Sequence, residues 1–137
     1  MAPFLYKLRV RFNECDPQSV AFNANYLTYI DIAITDLYRQ HFDGSFAEVM
    51  ESNGVDVVVA QANLKFLAPA RFDEEIEIAI TVQRLGNTAM ETSSLITRAG
   101  EPLVEAELRY VFVDLETWQK TPIPEQIRET MAGFGPV

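Results

Sequence analysis

Apolar and polar side chains alternate along the first dozen residues. Phe4, Tyr6, Leu8, Val10 and Phe12 fall on one face, and Leu5, Lys7, Arg9 and Arg11 on the other. That period of two predicts a strand with one buried face. The period then changes. Between Ala24 and His41, apolar residues stand at Tyr26, Leu27, Tyr29, Ile30, Ile32, Ala33, Ile34, Leu37 and Tyr38. Such a stripe wraps most of a helix's circumference, so the helix is expected to be buried on most sides. Asp43-Gly44-Ser45 breaks it, and Phe46 to Asn53 reads as a short second helix that Gly54 stops.

Alternation then returns. Val57-Val58-Val59-Ala60 leads into Gln61, Asn63 and Lys65 against Ala62, Leu64 and Phe66, a long strand closed by Ala68-Pro69. Ile76, Ile78, Ile80 and Val82 alternate with Glu75, Glu77 and Thr81. Leu85-Gly86-Asn87 turns the chain into Thr88 to Arg98, and Ala99-Gly100-Glu101-Pro102 turns it into Leu103 to Asp114. These four strands are expected to neighbour one another through short turns. The whole reads as one α+β domain over residues 1–137, a five-stranded antiparallel sheet wrapped around a long central helix. A short C-terminal helix is expected from Pro124 to Met131, in a peripheral tail (residues 124–137) whose loss the core would tolerate.

Composition narrows the chemistry. With 48% hydrophobic and 23% charged residues in a chain of 137, a folded globular domain is expected. A net charge of −9, from 20 acidic against 11 basic residues, argues against a nucleic-acid partner. No leader pattern and no run of ~18 apolar residues is present, so no membrane span and a cytoplasmic location are expected. The single cysteine has no partner for an internal disulfide, and one His with one Cys makes no zinc site of the usual kind. Carboxylates remain as candidate reactive groups.

One stretch places a carboxylate at a seam. In "FNECDPQSVAFNANY", Phe12 to Tyr26, the strand-like run gives way to the helix, with Asp16-Pro17 at the turn and Asn23 and Asn25 near the helix start. On spacing alone Asp16 reads as a turn-former before it reads as a catalytic acid. Backbone N–H groups around Asn23 and Ala24 lack intrahelical partners and sit at the positive end of the helix dipole, a candidate oxyanion hole. The Asn23 side chain is a candidate cap. Cys15 as a nucleophile would need a histidine, and the only one, His41, lies about 25 Å along the helix. Cys15 is therefore read as structural, and His41 as complementing the dipole at the helix C-terminus. Asp31 and Asp36, within the helix, are expected to serve solvent or interface roles.

The run "VRFNECDPQSVAFNANYLTYID", together with "APARFDEE" before the next strand, resembles the hotdog-fold acyl-CoA thioesterases of the 4-hydroxybenzoyl-CoA thioesterase family. The likeness spans roughly Leu8 to Pro124. It implies hydrolysis of an acyl-CoA thioester to a free acid and CoA, with no metal and no organic cofactor. Asp16 matches the family's catalytic carboxylate, acting as nucleophile through a mixed anhydride or as general base on water. Gln18, Ser19, Asn25 and Tyr26 are then candidates around the substrate, with Lys65 and Arg71, which bracket "FLAPA", for the CoA phosphates. The resemblance also implies self-association, as a homodimer pairing the strand Val57 to Phe66 or as a dimer-of-dimers tetramer, with active sites at the subunit boundary. Two departures stand out: Ser19 where many relatives have glycine, and Asn23 where relatives often carry a tyrosine or histidine. The competing readings are a non-catalytic acyl-CoA or acyl-carrier binding hotdog protein, and a hotdog dehydratase or hydratase, which typically uses a histidine.

Overall fold

The period-two runs become strands and the long apolar stripe becomes a helix. The computed structural model describes residues 2–136. Along them lie β1 (Phe4–Arg9), α1 (Asn25–His41), α2 (Phe46–Ser52), β2 (Val55–Phe66), β3 (Glu75–Leu85), β4 (Ala89–Arg98), β5 (Glu101–Asp114) and α3 (Glu125–Ala132). Local chemistry sets several boundaries. Ser45 and Glu48 close a capping box at the start of α2. Gly54 ends that helix region at φ 67°, a conformation that suits a residue without a Cβ. Ala99 and Gly100, both at positive φ, make the two-residue link from β4 to β5.

The strands form one antiparallel sheet in the order β1-β3-β4-β5-β2. Ile76, Ile78 and Ile80 of β3, Met90 and Ile96 of β4, and Ala106, Leu108 and Phe112 of β5 are buried in one core with Tyr29, Ile30, Ala33 and Leu37 of α1. The five-stranded α+β expectation holds, and one part of the strand order does not. β2 pairs with β5 and not with β3. Residues 67–74 therefore carry the chain from one edge of the sheet to the β3 side. The apolar pattern of β2 gives its face but not its neighbour, because pairing is decided by contacts distant in sequence.

Two further expectations are corrected. β1 stops at Arg9, and Phe12 stands 79% exposed in a 3-10 turn. Arg11 and Glu14 close that turn, the Arg11 amide donating to Glu14 Oε1 at 2.8 Å. Helix α1 buries Tyr26, Tyr29, Ile30, Ala33, Ile34, Leu37 and Tyr38 and leaves a stripe with Leu27, Thr28 and Asp31 exposed. The C-terminal helix is not peripheral, because Ile127 and Met131 are fully buried in the core. Among the described residues no helix is long and apolar enough to cross a membrane.

Candidate active site

The seam before α1 folds as a small hairpin. Cys15 bridges Ala21, the Asp16 amide donates to the Val20 carbonyl at 2.9 Å, and the Ser19 amide donates to the Asp16 carbonyl at 2.9 Å. Pro17 takes the second position of the turn, where its fixed φ is an advantage. Ser19 follows at φ 63°, the left-handed conformation that such a three-residue hairpin loop demands. This accounts for the glycine expected there, since a Cβ is tolerated only with strain. The Asp16 carboxylate is bound on one side only: Oδ1 accepts the Gln18 amide at 2.8 Å, and among the described residues Oδ2 accepts nothing.

Glu14 ties this hairpin to the helix. Its Oε1 accepts the Tyr29 hydroxyl at 2.9 Å, and its Oε2 accepts the Arg11 Nε at 2.8 Å. Its carbonyl takes the Asn25 Nδ2 at 2.8 Å and the Phe22 amide at 2.9 Å. Burial pushes the Glu14 carboxyl up, but the hydrogen bonds from Arg11 and Tyr29 outweigh it and leave the pKa below the ordinary value. Burial and the hydrogen bond to Glu14 push the Tyr29 phenol well up, so it stays a donor.

The crossing connection supplies the opposite wall. Its Ala70 carbonyl accepts the Ala21 amide at 2.8 Å, its Phe72 amide donates to the Ser19 carbonyl at 3.2 Å, and its Ala70 amide donates to the Tyr26 hydroxyl at 3.1 Å. Arg98 holds the connection from β4, donating to the Pro69 carbonyl at 3.0 Å and to Glu74 Oε1 at 2.7 Å. Between hairpin and connection lies an open groove of about 430 Å³, where Asp16, Asn23 and Tyr26 meet Phe22, Phe66 and Leu67. A carboxylate thus faces a largely apolar trough.

Helix α1 starts at this groove without a side-chain cap. Its N-cap is Ala24, not Asn23, and Asn25 spends its side chain on the Glu14 carbonyl instead. Among the described residues the amides of Asn23 and Ala24 donate to no acceptor, whereas the Asn25 amide donates to the Phe22 carbonyl at 2.9 Å. Two free N–H groups at a helix N-terminus, beside a carboxylate with one free oxygen, form an arrangement able to stabilise an oxyanion while a nucleophile is delivered.

The structure gathers only part of the expected set. Asp16, Asn23 and Tyr26 line the groove; Asn25 braces it from behind; Gln18 and Ser19 form the exposed hairpin tip. Lys65 and Arg71 do flank the "FLAPA" wall, as their spacing suggests, but both are exposed outside the groove lining. Burial, with the nearby charges of Glu14 and Asp16, raises the Cys15 thiol pKa, and its Sγ donates to the Arg11 carbonyl at 3.5 Å. His41 is at the other end of α1, edge-on to the Phe4 and Phe134 rings. Among the described residues no cluster of His, Cys, Asp and Glu is placed to hold a metal ion. Sequence reasoning passed over Glu14, Arg98 and the apolar wall itself. An unbroken "FLA" before a proline was the available signal for the wall; nothing local signals the pairing of Glu14 with Tyr29.

Known proteins are similar to this chain in sequence and fold. The chain is 28% identical over 125 residues to an acyl-CoA thioester hydrolase of Escherichia coli, covering 90% of this chain and 92% of that protein. It is 24% identical to a 1,4-dihydroxy-2-naphthoyl-CoA hydrolase of Thermosynechococcus vestitus, covering 89% and 84%. A crystal structure of a 1,4-dihydroxy-2-naphthoyl-CoA thioesterase from Synechocystis superposes with a TM-score of 0.85 at 18% identity, over 94% of this chain and 95% of that one, which fixes the hotdog fold. The thioesterase-like superfamily pattern matches residues 10–131, nearly the whole domain, and the chain therefore belongs to that superfamily.

Proposed function

We propose that this protein hydrolyses an acyl-CoA thioester, with Asp16 as the reacting carboxylate and the Asn23 and Ala24 amides as the oxyanion hole. The observation that carries the reading is the half-free Asp16 carboxylate at a groove where two helix N-terminal amides lack acceptors. Tetrahedral attack on a thioester puts negative charge on the carbonyl oxygen, and preorganised N–H groups are the usual means of holding it. The leaving group is a thiolate. A thiol's pKa of about 8.5 lets it depart without a strong general acid, so a remote His41 is no obstacle. Asp16 acts either by attacking the carbonyl itself or by activating water, and both roles need the free Oδ2.

The functional unit is a homodimer joined through β2. That strand is 12 residues long, lies at the sheet edge and exposes Val58 and Val59. A long uncovered edge invites pairing. Arg71 and Lys65, exposed outside the groove lining, are the basic residues assigned to the phosphates of CoA in a chain of net charge −9.

The test is the purified protein against aryl- and fatty acyl-CoAs, with free thiol as the readout. Asp16→Asn, which keeps shape and removes charge, is expected to lower kcat by about 10²- to 10⁴-fold on the best substrate. Turnover of that substrate at the wild-type rate would remove Asp16 from the mechanism. Thermal stabilisation by acyl-CoAs with no product from any of them would instead favour a binding protein.

A further inference from the structure

Helix α1 grips the Asp16 hairpin at one residue. Asn25 donates from Nδ2 to the Glu14 carbonyl at 2.8 Å, and Tyr29, one turn farther along the same face, donates from its hydroxyl to Glu14 Oε1 at 2.9 Å. Among the described residues, the side-chain hydrogen bonds from α1 to the hairpin both end on Glu14. The Tyr29 ring is 0% exposed and meets the Tyr26 ring edge-on at 5.9 Å, so packing fixes the direction in which its hydroxyl points. Tyr26 serves the opposite wall, where its hydroxyl accepts the Ala70 amide.

The acceptor is held as firmly as the donor. Glu14 Oε1 also accepts the Arg11 amide at 2.8 Å, while Oε2 accepts the Arg11 Nε at 2.8 Å and lies 2.7 Å from its Nη2. A carboxylate bound on both oxygens keeps one orientation, and a hydroxyl that donates to it makes a charge-assisted bond, stronger than a neutral one. Asp16, two residues on, has no such brace. Among the described residues each hydrogen bond it makes stays inside the hairpin, to Gln18, Ser19 and Val20. The connection of residues 67–74 bonds to the hairpin at Ser19 and Ala21 and leaves the strand that delivers Asp16 to Glu14.

We propose that Glu14 and Tyr29 are positioning residues for thioester hydrolysis: their hydrogen bond holds the Asp16 hairpin in register with the Asn23 and Ala24 amides, so that attack and oxyanion capture meet on one carbonyl. The inference rests on the acyl-CoA reading above and adds to it two residues that stand outside the groove lining. The carboxylate belongs to the hairpin and the amides to the start of α1, and Glu14 is where side chains of the helix fasten the two together. A displacement of about 1 Å in such a constellation costs about 10²-fold in rate. A hairpin that pivots moves the reacting group without removing the apolar wall, so the loss falls on kcat before it falls on KM.

The experiment is a double-mutant cycle on kcat, run with the full-length protein and its best acyl-CoA at a temperature where circular dichroism shows every variant folded. Tyr29→Phe removes one oxygen from a ring that stays packed, and is expected to lower kcat about tenfold or more with KM within about threefold. Glu14→Gln keeps an oxygen for Tyr29 and should lose less than Glu14→Ala. Tyr29→Phe added to Glu14→Ala should cost no more than about twofold further, because the bond it removes is already gone. A Tyr29→Phe variant within about twofold of the wild type in kcat, or losses that multiply in the double variant, overturns the proposal. Amide hydrogen exchange supplies a readout that needs no turnover. Tyr29→Phe is expected to speed exchange of the Asp16 and Phe22 amides at least about tenfold relative to those of β4, whereas a general loss of stability speeds both alike. If no thioester is turned over, the hydrolase reading fails by itself and this ratio decides the link: an unchanged ratio means that the hairpin is held without it.

Discussion

At the scale of single residues, the hairpin tip and the carboxylate beneath it set the terms. Ser19 holds φ 63°, a conformation that costs an L-residue roughly 1–2 kcal/mol. Glycine removes that strain but adds freedom to the unfolded chain, worth about 0.4–1 kcal/mol. Ser19→Gly is therefore expected to be neutral to about 1 kcal/mol stabilising in denaturant unfolding, and Ser19→Val to destabilise by more than 1 kcal/mol. A destabilising glycine would mean that the serine side chain makes a contact of its own. Glu14 governs a pH effect. Its folded pKa lies below the ordinary 4.5, so the stability it contributes is present above that value and is lost as pH falls through the lower, folded one. Glu14→Gln should melt below the wild type near neutral pH, and the gap should close as pH falls below about 4.5. A gap that stays constant with pH would assign the effect to packing rather than charge.

At the scale of elements, the connection of residues 67–74 explains both the site and the limit of what the sequence reveals. It crosses from β2 to β3 past the hairpin and forms the groove wall, and Arg98 pins it through Pro69 and Glu74. Truncation in Arg98→Ala takes a partner from the Pro69 carbonyl and from the Glu74 carboxylate, both open to water, at a cost of about 0.5–1.5 kcal/mol. A loosened wall should raise KM more than it lowers kcat, because the wall holds substrate while Asp16 stays on its own hairpin. An unchanged KM would show that the wall keeps its place without the guanidinium. Helix α1 and strands β3 to β5 were legible because their signals are local: a period, a turn, a glycine. The candidate role of Asp16 was legible through the likeness of its surrounding run. The neighbour of β2, the Arg98 anchor and the Glu14–Tyr29 link were not, because each joins residues whose proximity exists only after the sheet has closed. Asn23 does not cap the helix: Glu14 offers Asn25 a carbonyl, and the helix starts beyond Ala24, with the Asn23 and Ala24 amides left free among the described residues.

At the scale of the molecule, two surfaces decide whether the chain stands alone. The first is internal. Removing residues 124–137 uncovers the places of Ile127 and Met131, both fully buried, and burial of each such side chain is worth about 1.5–3 kcal/mol. A loss of about 3–6 kcal/mol against a typical total of 5–15 kcal/mol should leave the truncated chain unfolded or barely folded by circular dichroism. A cooperative melt near the wild-type temperature would restore the view of a dispensable tail. The second surface is the outer edge of β2. Its backbone donors and acceptors on the side away from β5 run the length of a 12-residue strand, with Val58 and Val59 exposed on it and Leu27 exposed on α1. Charge repulsion between acidic copies opposes association, but it is screened beyond about 8–10 Å at physiological salt, whereas strand pairing and apolar contact act at short range. Association should therefore strengthen with ionic strength. Sedimentation at a few micromolar is expected to give a dimer mass, with the dissociation constant falling as salt rises from about 0.05 to 0.5 M. A monomer throughout that range would leave the edge without its partner, and would confine the substrate to the groove of a single chain.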